Sequence, residues 1–230
     1  MAARSPFMNY ALAIHTTTAQ LGLALSNFAG DDRCQTWELG RSMSTHLHVH
    51  LQEFLQPQTW ADLSFLAVAK GPGSFTSTRI GVVAARTLAQ QLNLPLYAIS
   101  TLAAFAWLTV SQESQADKDK DATSVDIAVQ MPAQRGELFV GIYSIREQAT
   151  HNGSSYRSPV LTTLLPDVAM HPDQWQQRLD TWERPYCLIT TDENLGASVR
   201  SLLELAYAEW QQGDRPNWSS ALPFYGQSSV

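Results

Sequence analysis

Residues 63–69, Leu-Ser-Phe-Leu-Ala-Val-Ala, form a nearly continuous apolar run that ends in Lys70-Gly71-Pro72-Gly73-Ser74, and helical periodicity follows from about Thr76 to Leu92. A run of this length suits a strand buried on both faces of a parallel arrangement, and strand, turn and helix together predict a βαβ-like unit. The turn also has a chemical reading. A glycine-rich turn feeding a helix N-terminus leaves backbone N–H groups pointing outward, an arrangement that holds phosphate or another anion, here with Gly71, Gly73, Ser74 and Thr76 as candidates. A Walker A loop places Lys-Ser or Lys-Thr after its last glycine, whereas Lys70 precedes the glycines, so a tight connection without ligand is the competing reading.

Upstream, Tyr10–Ile14 is a short apolar strand, His15-Thr16-Thr17-Thr18 a polar turn, and Leu21, Leu23 and Leu25 alternate as in a half-buried strand. Gln35–Leu39 then returns as the third strand of an antiparallel meander. From Ser44 to Leu55 the period is helical, with Leu47, Leu51, Phe54 and Leu55 on one stripe facing the sheet. On the helix after the glycine turn, Ile80, Val83, Thr87, Leu88 and Gln91 fall on one side and Val82, Ala85, Arg86 and Ala89 on the other. The small residues of the second side suit close packing against another helix, and an exposed face with one solvated Arg is the alternative. Leu96–Ile99 reads as a strand and Thr101–Val110 as an alanine-rich helix.

Ser111–Ser124 has no aromatic or branched aliphatic residue and carries the run Asp117-Lys118-Asp119-Lys120-Asp121, which predicts a solvated linker. The chain therefore divides into an N-terminal lobe (1–112), a linker (113–124), a C-terminal lobe (125–215) and a terminal segment (216–230) that docks on a neighbouring element. In the second half, strand-like runs at Val125–Val129 and Glu137–Ile145 bracket a turn at Pro132–Gly136. Further strands at Val160–Leu165 and Tyr186–Thr190 and helices at Pro172–Leu179 and Leu195–Trp210 make two similar α/β halves.

A net charge of −6 over 230 residues argues against binding nucleic acid through the chain's own field. Cys34 and Cys187 lie far apart without CxxC spacing, so neither a zinc knuckle nor a disulfide framework is indicated. No signal-peptide run and no apolar stretch of membrane-spanning length is present, and a cytoplasmic protein is expected.

Four stretches read together: Leu12-Ala13-Ile14-His15-Thr16-Thr17-Thr18, the segment Gly71 to Gly81, Arg135-Gly136-Glu137-Leu138-Phe139, and Ala221-Leu222-Pro223-Phe224-Tyr225. In this order they resemble the bacterial TsaB family over nearly the whole chain, Gly71-Pro72-Gly73-Ser74-Phe75-Thr76 followed by Arg79-Ile80-Gly81 being the most specific marker. The resemblance implies an α/β, two-lobed fold of the actin-like ATPase (ASKHA) superclass, each lobe a mixed sheet with flanking helices. It implies a non-catalytic scaffold and activator of TsaD in threonylcarbamoylation of the adenosine beside the anticodon, with TsaE as a further partner and tRNA reached only through the complex. In the family the two N-terminal helices pair with TsaD, or with a second copy when TsaD is absent. On this chain that pairing points to His46, Val49 and His50 on one helix and Arg79, Val82, Ala85, Arg86, Ala89 and Gln90 on the other. No intrinsic cofactor or metal is implied, and ATP or ADP at the junction with TsaD stays open.

Two positions depart from the family. His15 stands where an acidic residue is usual, and a neutral imidazole cannot supply the hard oxygen ligand that a magnesium–phosphate site favours. Ser77 stands where Gly is usual, and its Cβ narrows backbone approach. Both favour a scaffold over the alternative, an autonomous actin-like ATPase or peptidase. Among other patterns, His46 and His50 share a helical spacing used in zinc sites but have no visible third ligand, and read as surface or interface residues. Asp192-Glu193 reads as a charged helix start. Ser74 lacks the surroundings of a nucleophile. Trp175, Trp182, Trp210 and Trp218 are scattered, without a basic setting, and read as packing residues.

Overall fold

Leu12 and Ile14 alternate with Ala11 and Ala13 along the first strand, so one sheet face is bulky and the other small. That asymmetry organises the first lobe. The computed structural model describes residues 10–116, 125–149, 157–191 and 194–226. Its first sheet combines β1 (Tyr10–His15), β2 (Gln20–Ser26), β3 (Asp32–Glu38), β4 (Leu63–Ala69) and β5 (Leu96–Ile99) in the order β3-β2-β1-β4-β5. The meander β1-β2-β3 is antiparallel, while β1, β4 and β5 run parallel. The third strand begins at Asp32 rather than Gln35, because Asn27 closes the β2–β3 turn with its side chain, accepting from the N–H groups of Ala29 and Asp31 at 2.8 and 3.0 Å.

The bulky face, with Leu12, Ile14, Leu23, Leu66 and Val68, packs on α1 (Met43–Leu55) and α2 (Phe75–Leu92). Leu47, Leu51, Phe54 and Leu55 point to the sheet as their spacing predicts. The small face, with Ala11, Ala13, Ala67 and Ala69, receives α5 (Val199–Gln211), and short side chains there let helix and sheet approach closely, while α3 (Thr101–Ala116) packs beside α5 and against a second sheet.

The second sheet repeats the plan with one strand fewer: β6 (Asp126–Pro132), β7 (Leu138–Ala149), β8 (Arg157–Met170) and β9 (Tyr186–Thr190) in the order β8-β7-β6-β9, a meander plus one parallel strand. Its outer face is covered by α4 (Pro172–Asp180) through Trp175 and Leu179. Three differences from the sequence reading stand out. Helix α3 continues to Ala116, into the stretch read as linker, and 117–124 lie outside the described residues. The helix expected from Leu195 begins as a 3-10 turn, Leu195–Ser198, and becomes α5 only at Val199. Finally, α5 follows the second sheet in sequence but packs on the first, where Val199, Leu202 and Ala206 join one core with Ala11, Phe65 and residues of the second sheet such as Val129.

The C-terminal segment lies along the first lobe. Leu96 N–H donates to the Pro216 carbonyl at 3.2 Å, Ala221 is fully buried beside α2, and Phe224 N–H donates to the Lys70 carbonyl at 2.7 Å.

Candidate functional site

The glycine turn is held from two sides. Gly71 and Gly73 have φ of +104° and +156°, and a Cβ on them would meet the carbonyl oxygens of Phe224 at 2.4 Å and Thr17 at 2.2 Å. Ser74 N–H donates to the Thr17 carbonyl at 2.7 Å, Thr101 N–H donates to the Gly71 carbonyl at 2.9 Å, and Thr16 Oγ1 donates to the Ser77 carbonyl at 2.8 Å. Ser74 is also the N-cap of α2, its side chain accepting from the Ser77 N–H. Glycine at 71 and 73 is thus required by the close approach of other backbone, and the Ser74 amide, one of those expected to face outward, is spent on Thr17. Thr76 stands exposed on the first turn of α2.

His15 closes β1 beneath this turn and is completely buried. Its Nε2 lies 3.5 Å from Thr17 Oγ1, which in turn accepts from Thr101 Oγ1 at 3.2 Å, and its Nδ1 has no hydrogen-bond partner among the described residues. Burial pushes its pKa down to about 4, so the ring is neutral at pH 7. The place where a carboxylate would face a metal and phosphates thus holds an uncharged imidazole packed behind two threonines.

Helices α1 and α2 lie side by side on the bulky face of the first sheet. Thr78, Val82, Ala85 and Ala89, spaced i, i+4, i+7 and i+11, are the buried stripe of α2. This corrects the expectation that Val82, Ala85 and Ala89 meet a partner: they are wholly buried against this chain's own sheet and α1. Arg86 is half-buried, with its guanidinium 5.6 Å from the centre of the Trp218 ring in the C-terminal segment, and His50 is half-buried and stacked on Trp37 at 4.6 Å. Outward residues include His46 and Val49 on α1 and Phe75, Arg79, Val83 and Gln90 on α2, with Val49 47%, Phe75 49% and Val83 59% exposed. Arg79 is fixed in place: its guanidinium carbon lies 4.2 Å from the Phe75 ring centre, and its Nε donates to Tyr225 Oη at 2.8 Å.

Sequence reasoning missed Phe75, Val83 and Tyr225. Val83 sits on the side opposite the one read as suited to close packing against another helix, and both sides of α2 carry apolar residues, so period alone could not say which stripe was inward. The i, i+4, i+8 spacing of Phe75, Arg79 and Val83 was the available signal.

The remaining sequence-level patterns resolve into packing. Trp175 Nε1 donates to Gln130 at 2.9 Å, Trp182 Nε1 to Asp126 at 2.9 Å, and Trp210 stacks on Phe65 at 5.1 Å. Among the described residues no three of His, Cys, Asp and Glu gather as a metal site, and Asp192-Glu193 lie outside them. Nor is any described helix long and apolar enough to cross a membrane.

Residues 41–129 match the family described as TsaD: tRNA N6-adenosine threonylcarbamoyltransferase. The chain is similar to the tRNA threonylcarbamoyladenosine biosynthesis protein TsaB of Bacillus subtilis, with 31% identity over 134 residues, 58% of this chain and 49% of that one. It thus spans about half the length of that relative. With the TsaB protein of Escherichia coli it shares 26% identity over 233 residues, 95% of each chain. Among solved structures it resembles an uncharacterized protein with similarity to peptidase YEAZ from Pseudomonas aeruginosa, with TM-score 0.68, 20% identity, and 96% of this chain and 100% of that one covered. YeaZ from the same organism gives TM-score 0.67 and 21% identity over 94% and 100% of the two chains. The likeness to both covers the fold, two mixed sheets with flanking helices.

Proposed function

We propose that this chain, which belongs to the TsaB family, takes part in tRNA threonylcarbamoyladenosine biosynthesis as a non-catalytic partner and activator of TsaD. The observation that carries this reading is the outward face of α1 and α2, where Val49, Val83 and the Phe75–Arg79 pair stand in solvent while the buried stripe of each helix is packed on the sheet. Exposed aromatic, aliphatic and arginine side chains in one place are the composition of interface anchors. The same face would meet a second copy of the chain when TsaD is absent, with TsaE joining the assembled complex. The buried, neutral His15 and the Thr16–Thr17 packing against the glycine turn favour this role over an autonomous ATPase.

The test mixes the purified chain with TsaD of the same organism and measures complex mass, then threonylcarbamoyladenosine formation with and without the chain in the presence of TsaE. A defined complex and product formation that depends on the chain are expected. No complex, or equal product without the chain, would refute the reading.

A further inference from the structure

Between the lobes lies a second site, separate from the helix face. A cavity of about 400 Å³ opens where β5 and the start of α3 meet β7, β8 and α5. On one wall Asp167 is held in a built network. Tyr143, 1% exposed, donates its hydroxyl to Oδ1, and Ser100 Oγ donates to Oδ2 at 2.6 Å while accepting the Ala103 N–H at 3.1 Å. Gly141 makes room for this pair: a Cβ there would lie 2.6 Å from Tyr143 Oη and 3.1 Å from Asp167 Oδ1. Lys70 and Glu209 also line the space. The Lys70 ammonium acts electrostatically on both carboxylates yet forms no ion pair among the described residues. Ile99, Leu161, Leu205 and Phe224 complete an apolar wall.

From this juxtaposition we infer that the cavity binds a small zwitterion, a free α-amino acid with an aliphatic side chain. Lys70 receives the carboxylate, Asp167 and Glu209 receive the ammonium, and the apolar wall receives the side chain. Asp167 retains acceptor capacity for this, since an ionised carboxylate offers about four lone-pair sites and two are used. A simple anion would gain Lys70 but face two carboxylates, and a simple amine would face Lys70. Only a molecule carrying both charges meets a complement at each end. The inference is independent of the role with TsaD, and neither stands or falls with the other.

The test is isothermal titration calorimetry of the full chain with L-leucine, L-leucinamide, which lacks the carboxylate, and 4-methylpentanoate, which lacks the ammonium. One leucine per chain is expected, with each analogue at least about tenfold weaker. Lys70→Met and Glu209→Gln, neither of which removes a side-chain hydrogen bond seen in the fold, are each expected to weaken leucine by about tenfold. Lys70→Met should in addition abolish the preference for leucine over leucinamide, which a general loosening of the fold would not do. Absence of binding at about 10 mM leucine, where even a Kd near 1 mM would be saturated, would overturn the inference. So would analogues that bind as well as leucine, or variants that bind as the parent does.

Discussion

Arg79 and Tyr225 are 146 positions apart in sequence, yet Nε of the one donates to the hydroxyl of the other at 2.8 Å, fixing an exposed cation at the start of α2. The Phe75 ring packs against both, 4.2 Å from the guanidinium and 4.5 Å, centre to centre, from the Tyr225 ring. A long cationic side chain on a surface normally loses rotamer freedom when it binds, and one already held by two rings and a hydroxyl loses less. Tyr225→Phe is therefore expected to leave the monomer's stability within about 0.5 kcal/mol. It should weaken association with TsaD several-fold, and Arg79→Glu should weaken it by at least about tenfold, as measured by calorimetry of complex formation. Unchanged affinity in both variants would remove this cluster from the interface.

Neighbouring valines on α2 offer a sharper contrast. Val82 is completely buried and Val83 is 59% exposed. Val82→Asp puts an unpaired carboxylate into the core between α2 and the sheet, a change expected to cost at least about 3 kcal/mol or to prevent folding. Val83→Asp should change monomer stability by less than about 0.5 kcal/mol while reducing TsaD binding. Urea unfolding of both variants, with complex mass for Val83→Asp, checks the orientation of the helix and the proposed docking face together.

Glycines around the turn separate two reasons for being glycine. Gly81 has ordinary helical backbone, but a Cβ there would lie 2.0 Å from Thr16 Oγ1, so Gly81→Ala must displace the β1–β2 turn and is expected to cost about 1–3 kcal/mol. Gly213, with φ +94° and nothing near its Cβ position, pays only the backbone penalty, so Gly213→Ala is expected to cost about 1 kcal/mol. In the double variant Gly81→Ala/Thr16→Ser the γ-methyl is gone and the hydroxyl is free to turn away, so part of the loss should return. Urea midpoints across the set decide whether crowding at Thr16 is the cause.

Much of this architecture is readable from residues, and the failures have particular physical causes. The alternation of β1, the continuous apolar β4 and the stripe of α1 each state their burial directly, and strands and helices follow. The inward side of α2 does not follow, because Val82, Ala85 and Ala89 are small on one side while Ile80, Val83 and Leu88 are apolar on the other. Small residues there serve close approach to the chain's own sheet, not to a partner. The placement of α5 on the first sheet is invisible to local pattern, since its stripe specifies that it is buried but not against what. The Arg79–Tyr225 and Ser100–Tyr143–Asp167 groupings join residues from distant strands and helices, and no spacing rule connects them.

His15 makes stability depend on pH in a definite direction. Its folded pKa is lowered to about 4 from an unfolded value of 6.5 by burial. Between those values the unfolded chain binds the proton more readily, so stability rises with pH there. The contribution is fully present above about pH 6.5 and is lost as pH falls toward 4, approaching about 3 kcal/mol at the lower limit. Asp167 and Glu209 work in the opposite sense, because burial raises their carboxyl pKa values, so in the interval from about pH 4 to 6.5 the histidine's share is read by comparison with a variant that cannot titrate at position 15. Urea unfolding at several pH values in that interval should show stability falling with acid in the parent chain. His15→Gln, which keeps a polar side chain of similar size beside Thr17 but cannot titrate, should flatten the slope even if it lowers stability at pH 7. Equal slopes in the two proteins would mean that His15 is not the group that titrates.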